Sequence, residues 1–235
     1  MTEHFNDDLI DGINVNPEIN YFSSILNYVL GKFKPYNICD VGCRNGKFTG
    51  LIKSKHNCNI IGIDGSEYAL SRAKKLNFDD LLLVDDFSKD NLKIRDNSFD
   101  LIICKDVFEH LINPNHLVGE IHRILKPNGL LLSHVPNHFP FWGRLKFLIE
   151  NNLDTFRYFP SSGRDDFPYI RFFTLKSMIK MFAKNNLSVY ENLSFHFFKL
   201  PLIDRFFPLE VKKFLCRIFT DNFSEGITLI LKKTN

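Results

Sequence analysis

Residues 36–48, YNICDVGCRNGKF, limit what this chain can fold into more than any other stretch. The run up to Val41 is apolar and β-compatible, Gly42 to Gly46 turns, and a helix is expected over 46–55. A strand, a glycine turn and a helix are how an α/β protein builds a nucleotide site. Glycine lets backbone N–H groups approach a ligand, and a helix N-terminus adds a favourable dipole. The spacing is not that of the dinucleotide fingerprint, G-x-G-x-x-G. Here the glycines stand four apart, and an acid, Asp40, sits on the strand just ahead of them. A carboxylate is a poor neighbour for pyrophosphate and a good one for a cationic amino group.

A chain of 235 residues suits one domain with a substantial core. Hydrophobic content of 44% and charged content of 24% belong to a soluble globular protein, and a net charge of +3 is too small to argue for nucleic acid. The opening residues, MTEHFNDDL, are acidic and polar and read as no signal peptide, and no apolar run reaches membrane-spanning length. The five cysteines lack metal-like pairing, so a reduced, cytoplasmic protein is expected.

The remaining order is that of alternating strands and helices. Residues 1–16 show no periodicity and are expected to be loose; 17–30 repeat apolar residues at helical spacing, and Gly31 is expected to end that helix. A second strand, 59–63, ends on Asp64, which can accept two hydrogen bonds from vicinal ribose hydroxyls or simply belong to the turn IDGSE. Ser66 is the expected N-cap of a helix over 67–75, and a third strand, 80–84, leads into Asp85-Asp86-Phe87. Then come an apolar strand after Phe99, a helix 114–125, and a strand 130–135 running into Asn137 and His138. Thr174 is set to cap a helix 175–185, and strands 187–196 and 226–232 complete the series.

Asp40-x-Gly42-x-x-x-Gly46 resembles motif I of the class I S-adenosylmethionine-dependent methyltransferases. Further on, Asp96-Asn97-Ser98-Phe99-Asp100, Glu109-His110-Leu111, Leu125-Lys126-Pro127-Asn128-Gly129 and Val135-Pro136-Asn137 are similar to that family's small-molecule branch, with its type 11-like domain. The resemblance covers roughly 36–137. It departs at Arg44, where the family pattern has its middle glycine; Arg is expected to hold the turn only with a negative φ.

The resemblance implies an α/β fold: a three-layer Rossmann-like sandwich whose seven-stranded sheet is mostly parallel, with the last strand antiparallel and helical insertions after strands 5 and 6. The whole chain is then one methyltransferase domain. It would comprise an N-terminal segment 1–35, a cofactor core 36–137, a lid-like insertion 138–173, and a C-terminal part 174–235 with an insertion at 197–223. The implied cofactor is S-adenosylmethionine, held by Asp40, Gly42, Cys43, Gly46, Asp64, Asp86, Phe87 and Cys104. Asp86 with Phe87 is the adenine contact by alignment on the preceding valine, and Asp85 is the alternative.

His138 is the candidate general base, since it follows strand 5 at the rim where ligands bind. His110 is expected to orient the loop after strand 4, and His134 to be a core residue. The expected function is methyl transfer, at oxygen, to a small-molecule or glycan-type acceptor. The alternative is a catalytically silent methyltransferase-like binding or regulatory module, which Arg44 alone supports. Expected partners are the small-molecule acceptor, no nucleic acid, and no transmembrane segment. Many of the 25 phenylalanines follow residue 138; the first insertion is expected to fold over the site as a lid, the second to cover the same pocket, form a dimer contact or touch a membrane surface, and the alternative is that both extend the core.

Overall fold

The computed structural model describes residues 17–50, 52–138, 140–150, 169–194, 208–224 and 226–234. The expected loose start (1–16), the middle of the first insertion (151–168), the end of the expected strand 187–196 and the start of the second insertion (195–207) lie outside them.

Seven strands form one sheet in the order β3-β2-β1-β4-β5-β7-β6. β1 (Asn37–Val41) pairs in parallel with β2 (Asn59–Asp64) and with β4 (Phe99–Lys105), placing Val41 beside both Ile63 and Cys104. β3 (Asp80–Leu83) extends one edge, with Asp64 beside Leu83. β5 (Leu125–Pro136) runs parallel to β4, with Lys105 beside His134. β7 (Gly226–Lys233) runs antiparallel between β5 and β6 (Leu187–Asn192), as expected for the last strand. The carboxyl ends of the parallel strands therefore share one rim, where such sheets take their ligands.

Helices cover both faces. α1 (Pro17–Phe33) buries Phe22, Ile25, Leu26, Val29 and Leu30 on the alternating face that carries Ile38, Ile60, Leu101 and Ile103. It passes through Gly31, against expectation, and stops where Lys34 turns to φ 47° and its N–H bonds back to Leu30 O. α2 (Glu67–Ala73) is capped by Ser66, whose hydroxyl accepts from Ala69 N. On the other face lie α3 (Pro114–Ile124), with Leu117, Val118, Ile121 and Ile124 inward, and α5 (Leu175–Ala183), with Met178, Met181 and Phe182 inward. Thr174 and Ser177 form a reciprocal capping box at the start of α5. Each fully buried apolar side chain contributes roughly 1.5–3 kcal/mol relative to exposure, and the two clusters they form clamp the sheet between them.

The helix expected over 46–55 is absent. Residues 47–50 form turns, and a short 3-10 helix spans Ile52–Ser54. Two glycines in this span weaken a helix by about 1 kcal/mol each. Gly50 also packs so closely on Leu76 that a Cβ there would lie 2.7 Å from its Cβ. In the first insertion α4 (Phe141–Glu150) follows Pro140, and in the second α6 (Leu209–Ile218) leads into the short α7 (Thr220–Phe223).

Candidate active site

The turn after β1 is locked from beneath by β2. Gly42 N and Cys43 N both donate to Ile63 O (2.8 and 3.0 Å), and Gly46 N donates to Cys43 O at 2.9 Å. Arg44 N donates to Asp64 Oδ2 at 2.7 Å, and Lys47 N to Asn45 Oδ1 at 3.2 Å. Arg44 corrects an expectation: its φ is +50°, in the left-handed region, where a negative value was expected. Such backbone costs a side-chain-bearing residue about 1–2 kcal/mol. A hydrogen bond to a charged carboxylate contributes about 1.5–3 kcal/mol, so the Asp64 contact offsets the strain.

The two glycines are required by internal packing. At φ +75°, a Cβ on Gly42 would lie 2.3 Å from Val107 Cγ2; at φ +72°, one on Gly46 would lie 2.5 Å from the Phe78 ring.

Asp40 sits beneath this turn, only 5% exposed. Burial pushes its carboxyl up to about 7; the Thr49 hydroxyl, donating to Oδ2 at 2.5 Å, opposes the shift, and the charge of Asp64 adds to it. Asp64 is buried at the tip of β2, and each of its oxygens takes one backbone N–H, from Arg44 and from Ser66 (2.9 Å). Burial raises its carboxyl, and those N–H groups counter the rise.

Past β3, Asp86 Oδ1 accepts Ser88 N at 2.8 Å, and Oδ2 lies 3.5 Å from Lys89 Nζ. The Ser88 N–H is the main reason its carboxyl lies below the ordinary range. Phe87 is half-buried against the core, while Asp85 is exposed. Cys43 is buried against Gly62, and Cys104 is wholly buried beside Cys39 and Val41. Burial pushes both thiols up, away from the thiolate. Asp40, the turn, Asp64 and Asp86 thus gather at the ends of β1, β2 and β3, whereas the Cys104 side chain faces the core.

His138, just past β5, is buried with Tyr169 and Phe172 packed edge-on against its ring at 4.8 and 5.2 Å. Tyr169 also stacks on His110 at 5.3 Å. The backbone N–H groups of Ile170 and Arg171 both donate to Glu109 O (2.8 and 2.9 Å), fastening residues 169–173 as a strap to the loop after β4.

A second polar chain was not foreseen. His134 is buried, as expected of a core residue, yet its Nδ1 lies 2.7 Å from Thr228 Oγ1 and its Nε2 3.6 Å from Asp106 Oδ1. Asp106 pairs with Lys105 through its other oxygen, has φ +53°, and donates its N–H to His134 O at 3.0 Å. Burial pushes the Asp106 carboxyl up, but the charges of His134 and Lys105 outweigh it and hold the group below its ordinary range. Gly226 makes room for the imidazole, since a Cβ there would lie 2.2 Å from His134 Cε1. Lys-Asp directly after an apolar strand was the available signal. Its partner Thr228 lies 94 residues beyond His134, so the pairing exists only in the fold.

The turn's N–H donors at 42, 43, 44, 46 and 47 are all taken internally, while the carboxyls of Asp40 and Asp64 stand at it. A pyrophosphate needs the reverse arrangement. A ligand bearing positive charge, ribose hydroxyls and an amino group is complementary to this set.

Residues 39–133 match the methyltransferase domain family. The chain is 31% identical over 111 residues to a sterol 24-C-methyltransferase of Schizosaccharomyces pombe, covering 45% of this chain and 29% of that protein. It is 28% identical over 131 residues to a ubiquinone biosynthesis O-methyltransferase of Actinobacillus pleuropneumoniae, covering 52% and 54%. The chain therefore spans about half the length of such relatives, or less. The fold is similar to that of an S-adenosylmethionine-dependent methyltransferase from Mesorhizobium loti, with TM-score 0.60, 16% identity and coverage of 89% and 96%. Residues 39–133 thus match a methyltransferase domain family, and the chain has the fold of S-adenosylmethionine-dependent methyltransferases.

Proposed function

We propose that this protein transfers a methyl group from S-adenosylmethionine to a small-molecule acceptor, at oxygen. The observation that carries the reading is the turn after β1, where the N–H groups of 42, 43, 44, 46 and 47 are bonded internally while Asp40 lies beneath it and Asp64 accepts Arg44 N. In this reading Asp64 uses the remaining lone pair on each oxygen for the ribose hydroxyls. Asp40 faces the cationic amino group, and Asp86 with Phe87 holds the adenine. Gly42, Cys43 and Gly46 shape the wall, and Cys104 closes its floor. The names of the relatives, one a C-methyltransferase and one an O-methyltransferase, support an acceptor of metabolite size.

Bound there, the cofactor supplies an already activated methyl group, so the protein's work is alignment and the exclusion of water. A hydroxyl acceptor also has to lose its proton, and we assign that proton to His138. The Tyr169 and Phe172 rings against His138 support an acceptor pocket under the strap, with 138–173 as its cover.

Calorimetric titration with S-adenosylmethionine and, separately, with NAD tests the cofactor. Asp64→Ala should weaken S-adenosylmethionine binding about thirtyfold, near 2 kcal/mol. Unchanged affinity in the folded variant removes the ribose role, and binding of NAD alone overturns the reading. For the base, His138→Asn should cut turnover of a lysate acceptor with labelled cofactor roughly a hundredfold, with cofactor affinity held. Normal turnover returns His138 to a packing role.

A further inference from the structure

α4 and α6 each carry an apolar stripe turned outward. On α4, Phe141 and Leu148 lie seven residues apart with Ile149 adjacent, and the last two are 75% and 74% exposed. On α6, Val211, Phe214 and Ile218 follow the i, i+3, i+7 pattern of a single helix face, with Phe214 62% exposed. Both helices are joined to α7: Arg144 Nη2 of α4 donates to Asp221 O at 3.3 Å, and α6 runs directly into it. α7 is in turn tied to the end of β5, where Asn137 Nδ2 donates to Ser224 O at 2.7 Å. α4 and α7 are therefore fastened next to Asn137, the residue before His138.

We propose that α4 and α6 form a surface that docks on an anionic lipid bilayer. Charge selects this occupant over a second copy of the chain. The sequence of α4 carries Arg144, Lys146 and Glu150, and that of α6 carries Glu210, Lys212, Lys213 and Arg217, giving +1 and +2. Two copies meeting through these helices would bring net positive segments together, whereas an anionic lipid surface neutralises them. Short helices that pair outward aromatic and aliphatic side chains with basic residues lie in the headgroup boundary with the apolar stripe inserted. Ten residues make each helix about 15 Å long, and among the described residues no helix is long and apolar enough to cross a membrane. The contact is therefore peripheral. An acceptor dissolved in the bilayer would then enter beside His138 without crossing water. That corollary rests on the methyltransferase reading, and the docking surface does not.

The test is flotation of the full chain with vesicles of phosphatidylcholine alone and with about a quarter phosphatidylglycerol. It needs neither cofactor nor acceptor, so its failure is separate from failure to bind S-adenosylmethionine. The protein should float with the anionic vesicles at least tenfold more than with the neutral ones, and less as salt rises. The doubly substituted Leu148→Ser, Phe214→Ser protein should stay in solution with an unchanged melting temperature. Arg217→Glu, which keeps the apolar stripe, should lose the preference for anionic lipid. Absence of flotation overturns the proposal, as does flotation of the double variant at the original level. Concentration-dependent dimers that the double variant dissolves would assign the face to a second copy instead.

Discussion

Arg123→Leu should lower the melting temperature by about 10 °C, which corresponds to roughly 3 kcal/mol in a chain of this size. The guanidinium fastens the loop 92–96 to α3. It binds Glu120 on its own helix (2.8 and 2.7 Å), the carbonyls of Leu92 and Ile94 (2.8 and 2.7 Å), and Asp96 at 2.6 Å. Glu120 is buried and also accepts Leu92 N at 2.7 Å. Removing the arginine leaves that carboxylate buried without its counter-charge and strips two carbonyls of their donor. Breaking such a network is far more destabilising than loss of an exposed ion pair. The loop it fastens is the one that leaves Asp86 and Phe87, so cofactor affinity should fall together with stability. Thermal melts of the two proteins decide it: a shift of only a degree or two would show that α3 and the loop hold without the arginine.

Asp40→Asn should make the protein without cofactor more stable and at the same time damage cofactor binding. A carboxyl whose folded pKa is raised from 3.8 to about 7 favours the folded state below pH 4. That advantage is lost between pH 4 and 7, as ionisation in the unfolded chain comes to outrun ionisation in the fold. Above pH 7 the full penalty is present, up to about 4 kcal/mol at 1.36 kcal/mol per unit. The amide removes it, so the variant should melt higher at pH 8 and level with the unsubstituted protein near pH 4, groups common to both cancelling in the difference.

Binding should run the other way. Asp40 has to be ionised to face a cation, so affinity for S-adenosylmethionine should rise with pH, by at most tenfold per unit, until about pH 7 and then level off. In the Asp40→Asn protein the same curve should be weak and flat. Equal melting differences at pH 4 and pH 8 would remove the buried-carboxyl account.

The architecture was largely legible because it is written in short-range patterns. Apolar runs such as 101–104 and 130–135 read as strands buried on both faces, and Thr174 and Ser66 marked helix starts that the structure keeps. What failed has local causes of another kind. The segment after Gly46 carries apolar residues at helical spacing, yet Gly46 and Gly50 are needed for close packing on Phe78 and Leu76, and packing overrode periodicity. Arg44 was expected to avoid the left-handed region, because sterics alone forbid it cheaply. The compensating Asp64 contact comes from 20 residues away. The same holds for Arg123 and for the Lys105, Asp106, His134 and Thr228 chain: composition shows the residues, and only the sheet order puts them together.

The position of β7 has a consequence for how the molecule is made. It is the last described strand in sequence, yet it lies between β5 and β6. Until it emerges from the ribosome, β5 presents a bare row of backbone donors and acceptors from Leu130 to Pro136, and β6 has no strand partner among the described residues. Thr228 is missing from His134 over the same period. The chain must therefore wait for almost its entire described length before the sheet can close, in a pairing of high sequence separation and hence slow formation. During that interval the open β5 edge is a template for another copy's strand. Chaperone protection of nascent chains, and sensitivity to stop codons just before Gly226, are the cellular marks of such a topology.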